Sequence, residues 1–280
     1  MAIKIITDST SDISKEEAIK LDINVVPLKV YIDNEEYLDG ETITHDEFYT
    51  KLKEAKEFPT TSQPNPEQFL KYFEMAKNEN DTVIAILISS KLSGTTQSAK
   101  IAKELSGYDD IYIIDSLNTI TGLRLLVEYA VKLRDEGKSP SDIVNTIEQA
   151  KNRIVLTAFV DTLDYLHKGG RLSKTSAIIG TILNIKPLIY LKDGELGVFG
   201  KARGINGAIN QVVDSIKERD EIDDTMPVYF GYTHIKDACL EFKKLAEDKY
   251  GLKDTKIHSI GAIVGAHVGE GAAAVVYLHK

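Results

Sequence analysis

Hydroxyl, imidazole and basic side chains recur in short, turn-rich stretches of this chain, and their types suit the capture of an anion. In S-S-K-L-S-G (Ser89 to Gly94), Ser93 offers a hydroxyl and Gly94 a backbone N–H immediately before a helical run. Unpaired N–H groups and the positive end of a helix dipole meet at such a junction. Lys91 adds a cation there. In P-T-T-S-Q-P (Pro59 to Pro64), flanking prolines stiffen a loop that presents Thr61 and Ser62 with little freedom left to lose on binding. G-A-H-V-G-E-G (Gly265 to Gly271) sets His267 among glycines, a composition for tight turns or close backbone approach. One ring N–H would suffice there as donor to a carboxylate.

Basic islands stand out in an acidic chain: Arg171 in H-K-G-G-R-L-S, and Lys201 with Arg203 in G-K-A-R-G. They read either as salt-bridged surface residues or as docking points for a phosphorylated group or an acidic partner. D-S-T-S-D (Asp8 to Asp12) reads first as turn and capping chemistry. No G-x-x-x-x-G-K-[ST] phosphate loop and no G-x-S-x-G nucleophile elbow occurs. A net charge of −9 without a basic run argues against nucleic acid as a partner. With one cysteine, Cys239, no internal disulfide can form, which points to a reducing compartment. The opening M-A-I-K-I-I-T-D reaches an acidic residue too early for a signal peptide, and no apolar window is long enough to span a bilayer. A cytoplasmic location is expected.

The elements that must position these groups follow from periodicity. Ile3 to Thr7, Val83 to Ile88 and Ile111 to Ile114 are short apolar strands ending in D-S-T-S-D, S-S-K-L-S-G and D-S, each leading toward a helix. That pattern predicts a doubly wound parallel sheet with its strand ends along one ligand-binding edge. Capping boxes start helices at Ser14/Glu17 and Thr44/Glu47. Asn24 to Ile32 is β-rich around Pro27, and the proline-punctuated stretch from Pro59 to Pro66 is expected to be irregular. Helices are expected over residues 66–78, 95–105, 119–136 and 140–153. After Ile154 the texture changes to strands, a short helix at 162–167, an apolar helix at 177–183 and a hairpin around Asp193-Gly194, with helices near 208–218 and 236–250. The expected fold class is α/β in two domains. Residues 1–150 form an N-terminal parallel doubly wound sheet with flanking helices, and residues 151–280 a C-terminal α+β domain.

In order and spacing, D-S-T-S-D, T-S-Q-P (Thr61 to Pro64), S-S-x-L-S-G-T (Ser89 to Thr95), D-S at Asp115, G-G-R-L-S (Gly169 to Ser173) and the glycine-flanked His267 resemble the DegV family over the whole chain. These are bacterial fatty-acid-binding proteins, the carrier subunits of fatty acid kinase. The resemblance implies a long-chain fatty acid in a tunnel near the domain junction, with its carboxylate held by Thr61, Ser93 and His267. Ser62 and Gly94 stand beside those groups, and Ala177, Ile178, Ile179, Ile182 and Leu183 are candidate tunnel lining. It further implies a separate ATP-dependent kinase that phosphorylates the bound carboxylate to an acyl phosphate for phospholipid synthesis. Arg171, Lys201 and Arg203 are then candidates for the kinase contact. No cofactor or metal is implied, and lipid exchange would involve transient membrane contact. The stretch L-N-T-I-T-G after Asp115-Ser116 departs from the family's serine-rich form. The competing readings are an acyl hydrolase or transferase with Ser93 as nucleophile and His267 as base, and a small-molecule or nucleotide sensor at the sheet edge.

Overall fold

The computed structural model describes residues 2–172, 184–219, 221–223 and 226–280. Ile3–Asp8 (β1) runs parallel to Ile23–Val26 (β2), joined through the helix Lys15–Leu21 (α1), whose Ser14/Glu17 capping box forms as the sequence predicts. The β-rich stretch around Pro27 is two strands rather than one. Proline has no N–H to donate and separates β2 from Lys29–Ile32 (β3), which turns away into a different sheet. Asp33 and Asn34, both at positive φ, reverse the chain into Glu35–Leu38 (β4). The helix His45–Glu54 (α2) follows its Thr44/Glu47 box.

Thr60–Ser62 (β5) corrects the expectation of an irregular loop. The prolines flank these three residues, leaving their backbone free to pair antiparallel with β3, Thr61 opposite Val30. Pro66–Glu79 (α3) leads to Thr82–Leu87 (β6), buried at all six positions, then Thr95–Ser106 (α4) and Ile111–Asp115 (β7). The first sheet, ordered β2-β1-β6-β7, is parallel throughout. Phe69, Phe73, Ala99 and Ala102 of α3 and α4 cover one face. On the other lies Ile120–Asp135 (α5), with Pro140–Ala150 (α6) beside it.

The second sheet mixes directions in the order β10-β9-β8-β13-β11-β12. It comprises Ile154–Phe159 (β8), Ile185–Lys192 (β9), Glu195–Arg203 (β10), Val228–Tyr232 (β11), Thr255–Ser259 (β12) and Ala273–Leu278 (β13), and only β11 and β12 pair in parallel. Its helices are Asp164–Lys168 (α7), Gly204–Arg219 (α8), Lys236–Tyr250 (α9) and Ala262–Val268 (α10). Helix α5 sits between the sheets: Leu123, Leu126 and Val127 share one core with Ile84 and Ile86 of β6 and with Leu156 and Val276. An interior helix must be apolar around most of its circumference, and α5 is. The helix expected at 177–183, with its candidate lining residues, lies outside the described residues. Among the described residues, no helix is long and apolar enough to cross a membrane.

Candidate functional site

The ends of β1, β6 and β7 lie side by side and are tied by carboxylates. Asp8 accepts from the Thr10 N–H (3.0 Å), the Thr10 hydroxyl (2.6 Å) and, across the sheet, the Ile88 N–H (2.7 Å). Asp115 accepts from the Ser90 and Leu117 N–H groups, both at 3.1 Å. Both carboxylates therefore shape the sheet edge. Ser89 is the hub of the turn that follows β6: its carbonyl accepts from the Leu92 and Ser93 N–H groups. Its hydroxyl donates to the Gly194 carbonyl at the tip of the β9–β10 hairpin (2.9 Å). The hairpin thus braces the turn that carries Ser93. Lys91 points outward and pairs with Glu195 at 4.0 Å, so the sequence-level expectation of a cation at the anion site is not met by this residue.

Thr61, Ser62, Ser93, Gly94, Arg171 and His267 line one cavity of about 290 Å³. Its remaining wall is mainly aliphatic, including Leu28, Ile88, Leu92, Leu166, Leu196 and Ile263. Four distant parts of the chain supply the polar groups: β5, the turn before α4, the turn after α7 that carries Arg171, and α10. His267 stands in the last turn of α10, not in the glycine turn its neighbours suggested. Gly261, Gly265 and Gly269 recur every fourth residue, and a helix with one glycine face can lie against large side chains. At Gly265 a Cβ would be 2.6 Å from the Tyr49 hydroxyl and 2.7 Å from the Phe48 ring.

The Thr61 hydroxyl and His267 Nε2 are hydrogen-bonded at 2.9 Å, while Nδ1 is buried without a partner. An unpaired buried N–H costs more than an unpaired ring lone pair, so the single proton of the neutral ring is assigned to Nε2, donating to Thr61. The Thr61 hydroxyl is then free to donate into the cavity. Ser93 accepts from the Thr95 N–H at 3.3 Å, and its hydroxyl lies 2.8 Å from that of Thr95. Gly94 caps α4, and a Cβ there would fall 1.8 Å from Gln63 Oε1. The absence of a side chain admits Gln63, which donates to Ser98 (2.8 Å) and fastens the Thr61 strand to α4.

Arg171 is part of the cavity wall. Its Nε donates to the Leu92 carbonyl (3.1 Å) and its Nη1 to the Gly169 carbonyl (2.7 Å), and no carboxylate among the described residues pairs with it. Lys201 and Arg203 do not reach the cavity: they are exposed on β10, opposite Pro187 and Ile185. Sequence reasoning missed Gln63 and Gly169. The doubled glycine before Arg171 was the available signal for the second.

Burial pushes the His267 imidazole down to about 4, and the Arg171 cation adds to the effect. The ring is therefore neutral at pH 7. With its folded value below the ordinary one, the unfolded chain binds the proton more readily, so this residue withdraws stability as pH falls from about 6.5 toward about 4. Imidazole NMR should show His267 neutral down to about pH 4; titration near the ordinary histidine value would contradict its burial.

Residues 2–280 match the family profile described as "Uncharacterised protein, DegV family". The chain belongs to the DegV family. A DegV domain-containing protein of Caldanaerobacter subterraneus is 38% identical over 278 residues, covering 99% of each chain. Among solved structures, a fatty-acid-binding DegV protein of Thermus thermophilus superposes with a TM-score of 0.90 at 32% identity, covering 100% of both chains. A stearic-acid-binding protein of Eubacterium ventriosum gives 0.90 at 30% identity, covering 100% of this chain and 99% of that one. With TM-scores of 0.90 over the full length, this chain, a parallel sheet beside a second mixed one, shares the fold of these solved relatives.

Proposed function

We propose that this DegV-family chain binds a long-chain fatty acid, with the carboxylate at the Thr61–Ser93–His267 end of the cavity and the acyl chain along its aliphatic wall. The observation that carries this reading is the cavity itself: hydroxyl, imidazole and guanidinium groups share one lining with a wall mainly of leucine, isoleucine and valine, to which Gln63 and Thr119 add two further polar side chains. Thr61 and Ser93 donate hydroxyls to the carboxylate, Ser62 and the Gly94 backbone border it, and Arg171 supplies the positive charge. A carboxylate brought into an apolar wall without such donors would take up a proton instead. The tail supplies most of the affinity: at roughly 0.8 kcal/mol per buried CH₂, about fifteen carbons contribute on the order of 10 kcal/mol gross. The fatty-acid-binding relatives support this ligand class.

The chain then acts as a cytoplasmic carrier that needs no cofactor. Residues 1–150 provide most of the head-group loops and residues 151–280 the rest of the tunnel wall. A separate kinase would transfer a phosphoryl group to the bound carboxylate, giving an acyl phosphate for phospholipid synthesis. The exposed Lys201 and Arg203 offer that kinase a basic docking face, and fatty acid reaches the cavity by transient membrane contact. A hydrolase is disfavoured because His267 is bonded to Thr61 and no carboxylate among the described residues orients its Nδ1.

Mass spectrometry of an organic extract of the protein purified from bacteria should find near-stoichiometric long-chain fatty acid. An extract free of fatty acid would refute the ligand. Ser93→Ala should weaken acyl binding by about 1–2 kcal/mol, the scale of one hydrogen bond to a charged group; unchanged affinity would remove Ser93 from the site.

A further inference from the structure

The helix that carries His267 is held at its other end by acid groups. Asp12 Oδ1 accepts the Gly261 N–H at 2.8 Å, and Asp39 Oδ1 accepts the Ala262 N–H at 3.1 Å. These side chains come from the D-S-T-S-D turn and from the residue after β4, yet they meet at two consecutive amides. Asp12 is 7% exposed and Asp39 3%, and the second oxygen of each is buried with no partner. A Cβ on Gly261 would lie 2.8 Å from His45 Nε2, 3.1 Å from Asp12 Oδ1 and 3.2 Å from Asp39 Oδ1. A side chain at this position would press on all three groups where they close on the start of α10. No group of three or more His, Cys, Asp or Glu among the described residues is arranged to hold a metal ion.

We propose that Asp12 and Asp39 are positioning residues for His267: closed as a pair over Gly261, they set the height of α10 against β5, and fatty-acid retention follows the protonation of the pair. This inference rests on the carboxylate-binding reading of the cavity. Helix α10 has seven residues, too short to bend between its anchored start and the imidazole in its last turn. A shift at Gly261 therefore moves His267 relative to Thr61.

Two carboxylates in one buried place cannot both ionise without repulsion. Burial raises both, Asp12 well above the ordinary range, and the negative charge of Asp39 raises Asp12 further. Asp8, at the end of β1 and itself pushed up to about 6 by burial, adds negative charge beside them. Against this, His45 at the start of α2 favours ionised Asp39, and Arg124 of α5 favours ionised Asp12 while donating to its carbonyl at 2.9 Å. The Tyr49 hydroxyl of α2 donates to the Ile260 carbonyl at 2.9 Å, Glu17 of α1 stands beyond Arg124, and Lys15, Glu16 and Glu41 rim the solvent side. With one of the two carboxyls protonated, both amides keep their acceptors, only one negative charge is buried, and the pair stays closed. As pH rises and that proton leaves, the carboxylates repel, the first turn of α10 loosens, and the fatty acid is released faster.

The test follows release of a fluorescent polyene fatty acid from the full-length loaded protein into excess vesicles, from about pH 6.5 to about pH 9.5, a window in which unperturbed carboxyl groups do not titrate. Release from the native chain should accelerate at least about fivefold, near 1 kcal/mol. Asp12→Asn keeps an acceptor for Gly261 and gains a donor toward Asp39, so its release should vary less than about twofold over the window. Asp39→Asn should behave alike, whereas Ser93→Ala should release faster at every pH with the native slope. Amide hydrogen exchange at Gly261 and Ala262, corrected for the intrinsic rate, should lose protection with rising pH in the native chain and not in Asp12→Asn. A native slope retained in both asparagine variants, or no slope in the native chain, overturns the proposal. Were the protein to hold no fatty acid at any pH, the ligand reading would fail, and exchange at the two amides would still decide the clasp: pH-dependent protection sustains it and invariant protection overturns it.

Discussion

Gly169→Ala should weaken fatty-acid binding by about 10- to 100-fold and leave the fold intact. The Gly169 backbone, at φ −73° and ψ −9°, is available to any residue, so alanine brings no conformational penalty. The consequence is steric: the new Cβ would stand 2.2 Å from His267 Nδ1 and 3.0 Å from the Tyr165 carbonyl oxygen. The carbonyl belongs to the helix and cannot withdraw, so the imidazole must, and its 2.9 Å bond to Thr61 is lost with it. Overpacking of this kind costs about 1–3 kcal/mol, and each 1.4 kcal/mol is tenfold in affinity. Its neighbour is the control. Gly170 has φ +68°, and a Cβ added there would meet nothing within 4 Å, so Gly170→Ala should cost about 1 kcal/mol of stability through backbone strain and leave binding unchanged. Displacement titration with a fluorescent fatty acid, paired with a melting curve, separates the two. Native affinity in Gly169→Ala would mean that the packing around Nδ1 does not set the imidazole.

What could be read from the sequence was whatever depends on neighbours in the chain. Ser14 with Glu17 and Thr44 with Glu47 form the boxes their three-residue spacing demands, and the apolar run from Val83 lies in a strand, Thr82–Leu87, buried on both faces. What misled was local composition whose meaning is set from far away. Thr60–Ser62 becomes a strand because β3 offers it a partner about thirty residues earlier, a pairing that proline content does not forbid. The glycines around His267 indicated close approach correctly, but the approach is by a helix, onto Phe48 and Tyr49.

The site divides along the same line. Ser93 and Gly94 were legible because a strand–turn–helix junction is a local pattern, whereas the grouping of Thr61 with His267, 206 residues apart, came from family resemblance. The Asp12–Gly261 bond, across 249 residues, had no local signature at all. Arg171 looked like a surface cation because basic residues in acidic chains usually are; its partners prove to be two carbonyls, that of Gly169 nearby in the chain and that of Leu92 in the cavity wall, the latter reached only once the turn at Leu92 is folded beside it.

Arg124→Met should be the most destabilising single exchange among the charged residues described above. Arg124 is 3% exposed and holds Glu17, Glu128 (2.8 Å) and the Asp12 carbonyl (2.9 Å). Glu128 in turn accepts from the Tyr229 hydroxyl (2.6 Å) and Lys256 (2.7 Å), so one guanidinium ties α1 and α5 to β11 and β12. Methionine fills much of the stem's volume, which isolates the loss of charge. Breaking a buried pair by removing one partner costs about 3–5 kcal/mol, because the carboxylates are left without compensation. At about 2–4 °C per kcal/mol for a chain of this size class, the melting temperature should fall by about 6–20 °C. Acid supplies the internal check. Although burial works against ionisation of Glu17, hydrogen bonds from Arg124 and Ser14 hold it down to about 2. A folded value below the ordinary one gives stability that is present above about 4.5 and lost as pH falls toward about 2. The native protein loses that contribution in acid, whereas the variant has already lost it. The gap between their melting temperatures should therefore be widest near neutral pH and narrow below about pH 4; a gap independent of pH would assign the destabilisation to packing around the stem instead.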